Sequence, residues 1–389
     1  MKNYNLPQKI VFGLFGLFLL TSCTEDPVPL REPSGEETEG FDYTWQATAD
    51  SMQLATYNTY LGSDGTFIQD NAGNTNFNYW PNAHALHTLV DGYVRTGNET
   101  YLPQMKALVQ GIEIKNGGSY NNVFNDDMLW LANSCVRAFV ATNDQEYKDV
   151  ADYLWEVIKT SWTDDVFGGG ITWKQDTPTQ KNAVSNGPAA VLAMRLYELD
   201  ADPEDLEWAE KIYAWEKNTL VDPASGLVWD NISEQNGEAV IQKDWVFTYN
   251  MGTYIGAGLK LYNTTKEQGY LNDALKSAKA LMTSPKLTTE GVLRDEGEGD
   301  GGLFKGILVR YFTELIQQPE INASDREDFV DFLRFNAETF YDQGLARPSM
   351  LASPNWRNTP SGKTDLTTQL SGLMLIEAAA LLEKDGIFE

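Results

Sequence analysis

The sequence contains little histidine, little cysteine and few cationic side chains. Its 389 residues include two His and two Cys, and 29 Lys and Arg stand against 56 Asp and Glu, a formal net charge of −27. So few His and Cys argue against a zinc or thiol centre built from those residues. The shortage of Lys and Arg argues against binding to nucleic acid or to an anionic membrane surface. Apolar residues, at 42%, suffice for a folded core.

The first 22 residues have the features of a secretory signal peptide. Two lysines precede an apolar run over residues 11–20, which is too short to span a bilayer. The run ends in the letters LTSC, which resemble a bacterial lipobox with Cys23 as the residue to be lipidated. Several acyl chains on Cys23 would anchor the protein to a membrane. The alternative is an ordinary signal peptide followed by an incidental cysteine.

Residues 23–42 are rich in proline, glycine and acidic side chains, with almost no large apolar residues. This composition predicts a flexible tether. Together with the lipobox it predicts a bacterial outer-membrane lipoprotein, facing either the cell surface or the periplasm. The acidic Glu25 and Asp26 favour the cell surface. With Cys23 lipidated, no disulfide is possible, and Cys135 is predicted to be a buried small residue on an apolar helical face.

From residue 43 onward the chain reads as helix after helix, with hardly any strand pattern. Apolar spacings of three and four recur in about twelve segments. Start and stop residues agree with them, since Asp202 before Pro203 predicts a helix start, Gly97 a helix end, and Asn98 or Thr100 a cap. The segments are 43–61, 81–96, 100–113, 126–142, 145–161, 185–199, 203–218, 244–263, 267–283, 303–318, 325–342 and 365–384.

These twelve helices predict an all-α fold, an (α/α)6 toroid of six helical hairpins. No internal linker composition appears, so residues 43–389 are predicted to form one domain. The inner helices of such a ring are buried on most sides and should be apolar nearly all round, as residues 370–382 and 252–261 are. The alternative is an open helical solenoid, although no fixed-period repeat is present.

Two adjacent carboxylates, Asp126 and Asp127, open the fourth predicted helix. The common explanation for acidic residues there is structural, because Asp at a helix start satisfies free N–H groups and the positive end of the dipole. The functional explanation is a pair for glycoside cleavage, one nucleophile and one acid/base. Mutual repulsion would keep one carboxyl protonated while the other is ionised. The residues themselves do not assign the two roles.

Other candidates lie in loops and on one helix face. A second adjacent pair, Asp164 and Asp165, precedes a glycine run that we expect to form part of a site wall. His84 and His87 share a helix face, but a metal site would need further ligands, so a structural or hydroxyl-binding role is favoured. Aromatic residues interleave with Asn, Asp and Gly in several loops, which is typical of sugar binding. They include Trp173, Trp229, Tyr249 and Trp356.

Six ordered segments together resemble glycoside hydrolase family 76, the α-1,6-mannanases. They are YWPNAHALHTLVDGYVRTG (79–97), NDDMLW (125–130), FGGGITWKQDTPTQKNAVSNGPAAVLAMRLYE (167–198), FTYNMGTYIGAGL (247–259), GDGGLFKGILVRYF (299–312) and DLTTQLSGLMLIEAAALL (365–382). The resemblance covers most of the chain, from about residue 79 to residue 382. It differs after the pair, where the family usually has two aromatics and this chain has Trp130 followed by Leu131.

The resemblance implies an (α/α)6 barrel that hydrolyses α-1,6-linked mannose chains internally, with retained configuration and no cofactor or metal. It places the family's adjacent aspartates on Asp126, as nucleophile, and Asp127, as general acid/base. The expected ligand is yeast-type α-mannan, and we expect a monomer. The expected substrate-binding residues are His84, Trp130, Gly169, Gly170, Trp173, Asn186, Tyr249, Asn250 and Asp300.

Three alternatives remain at this point. A non-catalytic glycan-binding lipoprotein would share the helices, acidity and aromatics, but would not need two adjacent carboxyls. A different toroidal glycosidase, acting by inversion, would place its carboxyls about 6.5–9.5 Å apart and draw Asp300 or Asp244 in as a partner. A transglycosidase would use the same covalent intermediate with a sugar as acceptor.

Overall fold

The computed structural model describes residues 44–360 and 362–388. The predicted signal peptide, the lipidation site and the whole of the tether therefore lie outside the described residues. The described chain is built mainly from helices α1 (Trp45–Tyr60), α2 (Tyr79–Thr96), α3 (Tyr101–Lys115), α4 (Asn125–Thr142), α5 (Gln145–Lys159), α6 (Ala183–Asp200), α7 (Pro203–Leu220), α8 (Thr248–Thr265), α9 (Gln268–Thr283), α10 (Gly301–Gln317), α11 (Ala323–Thr339) and α12 (Leu366–Lys384).

The even-numbered helices form a closed inner ring. Each packs against the next, and α12 packs back against α2. The odd-numbered helices lie outside, each against an inner neighbour, and α1 packs on α12. The carboxylate of Glu383 near the end of α12 accepts hydrogen bonds from the first two N–H groups of α1, at 3.0 and 3.1 Å. The predicted (α/α)6 toroid is confirmed, and the open solenoid is not the fold.

Burial follows the two-ring arrangement. In α12 nearly every residue from Leu366 to Ala380 is buried, and α8 is buried from Thr248 to Leu259. The outer helix α5 instead buries one stripe, spaced at three and four residues from Tyr147 to Ile158. An inner helix contacts protein on all sides, so its sequence carries no polar face.

Close approach of the inner helices requires glycine at particular positions. A Cβ on Gly252 of α8 would lie 2.6 Å from the Cα of Leu308 on α10, and a Cβ on Gly256 would lie 2.2 Å from the ring of Tyr311. Real Cβ atoms do not approach other atoms this closely, so these glycines set the spacing between α8 and α10.

The predicted helices are confirmed, each to within four residues at either end. Asp202 caps α7 by accepting from the N–H of Glu204, and Gly97 ends α2 in the left-handed conformation at φ 66°. At α3, Thr100 occupies the cap position but its side chain makes no capping bond. Cys135 is buried and free, as predicted. Among the described residues, none of the helices combines the length and apolarity needed to cross a membrane.

The expectation of hardly any strand is only partly met. A small antiparallel sheet joins β1 (Gln180–Asn182), β2 (Asn231–Gln235) and β3 (Glu238–Ile241). Two shorter hairpins pair β4 (Thr288–Thr289) with β5 (Val292–Leu293), and β6 (Leu345–Ala346) with β7 (Leu351–Ala352). A π-helical turn, Phe340–Gly344, follows α11. The three-stranded sheet lies in the loops before α6 and α8, beside the cleft described next.

Candidate active site

A cleft of about 350 Å³ lies at one end of the ring, where the inner helices begin. Most of its lining comes from residues at or next to the first turns of α2, α4, α6, α8 and α10. The lining residues are Asn78, Trp80, Phe124, Asp126, Asp127, Trp130, Trp173, Asn182, Val184, Tyr249, Asp300 and Phe304. Five inner helices therefore direct their N-terminal ends, with their free N–H groups and positive dipole ends, toward the cleft.

Asp126 and Asp127 stand side by side in the first turn of α4, half-buried in the cleft. The start of α4 is fixed by backbone contacts to the loop before α6. The N–H of Asn125 donates to the carbonyl of Trp173 at 2.9 Å, and the buried Asn125 side chain donates to the carbonyl of Thr172 at 2.8 Å. The two carboxyls thus project from a rigid helix start.

The two carboxyls have different surroundings. The pKa of Asp126 is raised to about 7, mainly by burial and in smaller part by the negative charge of Asp230. The backbone N–H groups of Asp126 and Asp127 and the indole N–H of Trp173 oppose that rise. The Trp173 Nε1 donates to Asp126 Oδ2 at 3.2 Å. Of the two carboxyls, Asp126 is therefore the one whose anion is supported by hydrogen-bond donors.

Asp127 receives no comparable support. Burial, the charge of Asp126 and the charge of Asp300 all raise its pKa well above the usual range, and no hydrogen bond is found to lower it. An ionised Asp126 beside it favours the neutral form further, since two adjacent buried carboxyls do not both ionise readily. When the pair carries one negative charge, that charge is therefore favoured on Asp126 and the proton on Asp127.

Asp230 is a functional candidate that the sequence analysis missed. It is 5% exposed and lies directly before β2. Its carboxylate accepts hydrogen bonds from the Tyr249 hydroxyl at 3.2 Å and from the side-chain amides of Asn250 at 3.0 Å and Asn231 at 2.8 Å. It orders Tyr249 in the cleft and places a second negative charge near Asp126. No local sequence pattern marks this residue, because two of its hydrogen-bond partners, Tyr249 and Asn250, lie on α8.

Aromatic side chains form much of the cleft wall. Tyr249 stacks on Phe304 with ring centroids 3.9 Å apart, and Trp173 lies 5.1 Å from Phe124. At the rim, Trp80 donates its indole N–H to Asp300 at 3.1 Å. Trp130, Trp173, Tyr249 and Asp300, which were predicted to bind substrate, line the cleft. A wall of aromatic faces beside carboxylates and amides suits sugar rings, which present C–H faces and hydroxyls.

Gly169, Gly170 and Asn186 do not line the cleft, contrary to the sequence analysis. A Cβ on Gly169 would lie 2.7 Å from the Trp162 ring, and a Cβ on Gly170 would lie 2.6 Å from the Trp215 ring. These glycines therefore permit close packing of the loop on tryptophan rings. The Asn186 amide is occupied by the backbone of residue 171, donating to its carbonyl at 3.0 Å and accepting from its N–H at 2.8 Å. These residues shape the loop that carries Trp173.

Lys181 holds the same loop from inside. Its ammonium donates to the carbonyls of Thr163, at 2.8 Å, and Val166, at 2.6 Å, and also to that of Gly169. Burial lowers the pKa of Lys181 to about 8. Three carbonyls converging on one ammonium explain how a glycine-rich segment keeps a single shape.

His84 and Asn250 lie beneath the cleft and do not line it, which corrects two further predictions. The His84 ring packs 4.7 Å from the Trp130 ring and 5.6 Å from the Trp80 ring, and its Nδ1 accepts from Arg310 at 2.8 Å. Burial lowers its pKa well below the usual range, so the ring is neutral. Asn250 is fully buried, and its side-chain amide donates a hydrogen bond to the Asp230 carboxylate. Both support cleft residues from behind.

The other aspartates considered do not join the pair. Asp164 lies outside the cleft, with its side chain 77% exposed and bonded to the indole of Trp162. Asp244 is fully exposed beside Lys286. Asp300 alone reaches the cleft, at its rim. Within the described chain no group of three or more His, Cys, Asp or Glu is placed to hold a metal ion.

Comparison with solved structures gives close relatives of this chain. The α-1,6-mannanase GH76A of Salegentibacter sp. HEL1_6 is 60% identical, with a TM-score of 0.86 over 87% of this chain and 99% of that one. An inactive variant of that enzyme, with two adjacent aspartates replaced by asparagine, was solved with α-1,6-mannotriose bound. The Lin0763 protein of Listeria innocua is 34% identical, with a TM-score of 0.81 over 88% of this chain and 98% of that one.

Curated relatives are more distant. The mannan endo-1,6-α-mannosidase DCW1 of Saccharomyces cerevisiae is 25% identical over 66% of this chain, and the match spans 58% of that protein. The chain spans 47% to 75% of the length of the curated relatives that it matches. The model of glycosyl hydrolase family 76 matches residues 44–389, which is nearly the whole described chain. With the helical ring and the carboxylate pair in its cleft, the chain belongs to glycosyl hydrolase family 76.

Proposed function

We propose that this protein is an endo-acting hydrolase of α-1,6-mannosidic linkages in mannan, working with retained configuration through Asp126 and Asp127. One observation carries the proposal: the two adjacent carboxyls share a cleft in which one is supported as an anion and the other is not. A relative that is 60% identical is an α-1,6-mannanase that loses activity when two adjacent aspartates are replaced. This chain has two adjacent Asp pairs, and only the pair in α4 lines the cleft.

The reaction would proceed by two displacements. Asp126 attacks the anomeric carbon of the mannose unit as the glycosidic bond breaks, while Asp127 gives its proton to the leaving oxygen. The sugar is then bound covalently to the Asp126 carboxyl as an ester. Asp127, now ionised, takes a proton from water, and the resulting hydroxide displaces Asp126 from the anomeric carbon. Two inversions retain the configuration, and both carboxyls return to their starting states.

The surroundings of the pair suit these roles. The nucleophile must be ionised, and the helix N–H groups and Trp173 stabilise charge on Asp126. The acid must hold a proton at neutral pH, and burial with two neighbouring charges keeps that proton on Asp127. When the ester forms, the charge on Asp126 disappears, so the pKa of Asp127 falls and it becomes a suitable base for the second step.

Aromatic and polar lining residues would hold the mannan chain. Tyr249 on Phe304 and Trp173 on Phe124 present ring faces, while Asp300 at the rim can accept hydroxyl hydrogen bonds. The ligand chemistry matches the α-1,6-mannotriose and mannotetrose bound by the inactive variants of the 60% identical mannanase. Internal cutting requires that a chain extend past both ends of the cleft.

The test compares the parent with Asp126→Asn and Asp127→Asn on debranched α-1,6-mannan, sizing products over time and following anomeric configuration by NMR. The matched control is Asp164→Asn, which changes the adjacent pair outside the cleft. We expect mixed short oligosaccharides with retained configuration from the parent and control, and at least a thousand-fold loss in both cleft variants. Mannan bound without cleavage would support a binding protein, and inverted products would exclude Asp126 as nucleophile.

A further outcome separates hydrolysis from transglycosylation. If added mannobiose is extended into longer products while little reducing sugar is released, a glycan rather than water is the acceptor. Equal release of reducing ends with and without mannobiose supports hydrolysis. The proposed roles of Asp126 and Asp127 would be the same in either case, because both reactions pass through the same covalent intermediate.

We also propose that the protein is an outer-membrane lipoprotein anchored through Cys23 and acts as a monomer on yeast-type mannan outside the cell. The support is the lipobox-like LTSC sequence and the acidic, proline-rich stretch after it. In a bacterial host, Cys23→Ser should move the protein from the membrane to the soluble fraction, and protease added to intact cells should remove the parent. An unchanged membrane fraction for Cys23→Ser would refute the anchor.

A further inference from the structure

A second cavity, of about 150 Å³, opens at the end of the ring opposite the cleft. It is formed by the C-terminal halves of α2, α4, α6, α10 and α12. In a chain with a net charge of −27, its lining carries more cationic than anionic side chains. The cationic residues are Arg95, Arg137, Arg195, Arg310 and Lys384, and the carboxylates are Asp91, Glu314 and Glu377.

Two of the arginines are paired with carboxylates of the chain. Arg95 holds Glu377 with Nε at 2.8 Å and Nη2 at 3.2 Å, and Arg137 holds Asp91 at 2.6 Å. Arg195 donates to the carbonyl and side chain of an asparagine on α4 at 3.2 and 3.1 Å. Glu314 forms a longer ion pair with Arg195, at 3.8 Å, so each of the three carboxylates already has another cation beside it.

Arg310 has no such partner. Its Nη1 donates to Nδ1 of His84 at 2.8 Å, and its Nε and Nη2 are buried without a hydrogen-bond partner. Burial lowers the pKa of Arg310 to about 9; the charge of Asp91 opposes that fall, and the charges of Arg137 and Arg195 add to it. Asp91 is itself held by Arg137 at 2.6 Å, so it is no direct ion-pair partner for Arg310. The guanidinium is still cationic at neutral pH. A buried charge that lacks a counter-charge is strongly unfavourable, so a counter-charge is expected nearby.

The helix dipoles do not supply that counter-charge. The negative ends of the inner helices point toward this cavity, but a helix dipole acts only within its last turn. Of the cationic lining residues, Arg95 lies in the last turn of α2 and Lys384 in the last turn of α12. Arg137, Arg195 and Arg310 each lie more than one turn before the ends of α4, α6 and α10.

We propose that this cavity binds a small monovalent anion, either chloride or a carboxylate as small as formate, as the counter-charge of Arg310. Arg137 and Arg195 are the neighbouring cations. The mouth is open to solvent, since Glu314 is 37% exposed, so an ion can enter. The cavity has room for such an ion with several waters, since one water occupies about 30 Å³.

The anion would stabilise the underside of the cleft. It holds Arg310, Arg310 holds His84, and the His84 ring packs 4.7 Å from the ring of Trp130, which lines the cleft. The inference does not depend on which glycan the cleft accepts, because the cavity lies at the other end of the ring.

The first test is thermal unfolding in sodium chloride, sodium formate and sodium gluconate at equal ionic strength. Gluconate has the same charge as the other two anions but is much bulkier. We expect a Tm that is higher by a few degrees in chloride or formate, with saturation, and the stronger of the two identifies the anion. Arg310→Met should abolish the difference. Equal Tm values in all three salts would overturn the proposal.

A second variant keeps the test decisive if Arg310→Met does not fold. Glu314→Gln removes a competing carboxylate at the mouth, so the anion concentration for half of the effect should fall several-fold. An unchanged or higher concentration counts against the site. Crystals soaked in sodium bromide give the location directly, since bromide scatters anomalously. A peak beside Arg310 is expected, and a map in which only water fills the cavity would refute the proposal.

Discussion

The hydrogen bond from Trp173 to Asp126 gives a direct test of how the pair is held. Trp173→Phe removes the indole N–H that donates to Oδ2 at 3.2 Å but keeps an aromatic ring against Phe124. With that donor gone, the anion of Asp126 is less stable and its pKa rises from about 7. A nucleophile must be ionised, so the enzyme then needs a higher pH to be active.

The size of the effect follows from the bond. Hydrogen bonds to charged groups contribute about 1.5–3 kcal/mol, and this one is long at 3.2 Å, so the lower figure applies. One pKa unit corresponds to 1.36 kcal/mol, which predicts an upward shift of about one pH unit. At one pH unit below the parent value, the ionised fraction of Asp126 falls about tenfold. At high pH the two proteins should converge, apart from lost contacts to the substrate.

The assay is the pH dependence of kcat/KM on a soluble α-1,6-mannooligosaccharide, fitted for its acidic limb. The matched control is Trp162→Phe, because Trp162 also donates its indole N–H to an aspartate, Asp164, but outside the cleft. The control should leave the acidic limb in place. If Trp173→Phe lowers kcat/KM equally at every pH, Trp173 only binds substrate. If the limb moves to lower pH, the assignment of Asp126 as the ionised partner is wrong.

Three further predictions concern stability and the loop beside the cleft. Burial raises the folded-state pKa of Asp126 from 3.8 to about 7, so its ionisation destabilises the fold above pH 7 and not below pH 3.8. Asp126→Asn should therefore raise Tm by several degrees at pH 8 and leave it unchanged at pH 3.5; an equal gain at both would contradict this. In urea denaturation, Gly252→Ala should lower the free energy of unfolding by about 2–3 kcal/mol, because its Cβ would lie 2.6 Å from backbone. The control Gly269→Ala, with open space around it, should raise the free energy of unfolding by up to about 1 kcal/mol. Lys181→Met should expose residues 163–170 to protease several-fold faster, and unchanged cleavage would show that the three carbonyl contacts do not hold the loop.

The helical ring could be predicted because its signal is local and repeated. Spacings of three and four mark every helix, and stretches that are apolar nearly all round, such as residues 370–382, separate inner from outer helices. The strands were missed although one signal was present. Asn236 and Gly237, both at positive φ, form the tight turn between β2 and β3, and Asn-Gly is the strongest short-range hairpin pattern.

The site residues divide according to how far apart their partners lie in the chain. Asp126 and Asp127 are adjacent, so the sequence displays the pair. Asp230 acts through Tyr249, and His84 is held by Arg310, which is 226 residues away. Such contacts depend on ring closure and leave no local pattern. The sequence does not distinguish an asparagine that faces the cleft from one that, like Asn186, forms hydrogen bonds with a loop backbone.

If the closed ring is assumed, more of the cleft-lining residues can be predicted from the sequence. Four of its lining residues are helix cap positions, Asn78, Phe124, Asn182 and Asp300, at the starts of α2, α4, α6 and α10. Inner helices of a toroid run parallel, so residues at their starts converge whatever their distance in sequence. A reader who assigns inner helices by their apolarity can therefore name cleft positions from the predicted helix starts alone.

The same geometry explains why two identical side chains take different roles. The first turn of a helix offers N–H groups that have no partner within the helix, and they lie closest to a side chain that folds back over its own N-terminus. In α4 these N–H groups and the indole N–H of Trp173 support the charge on Asp126, while the half-buried Asp127 has no such donor and lies near the charges of Asp126 and Asp300. Because both residues are aspartate, the sequence does not distinguish them, and their roles depend on their positions in the fold. In the proposed mechanism a carboxyl at position 126 serves as the nucleophile because the helix start supports its charge, and a carboxyl at 127 serves as the acid because nothing there does.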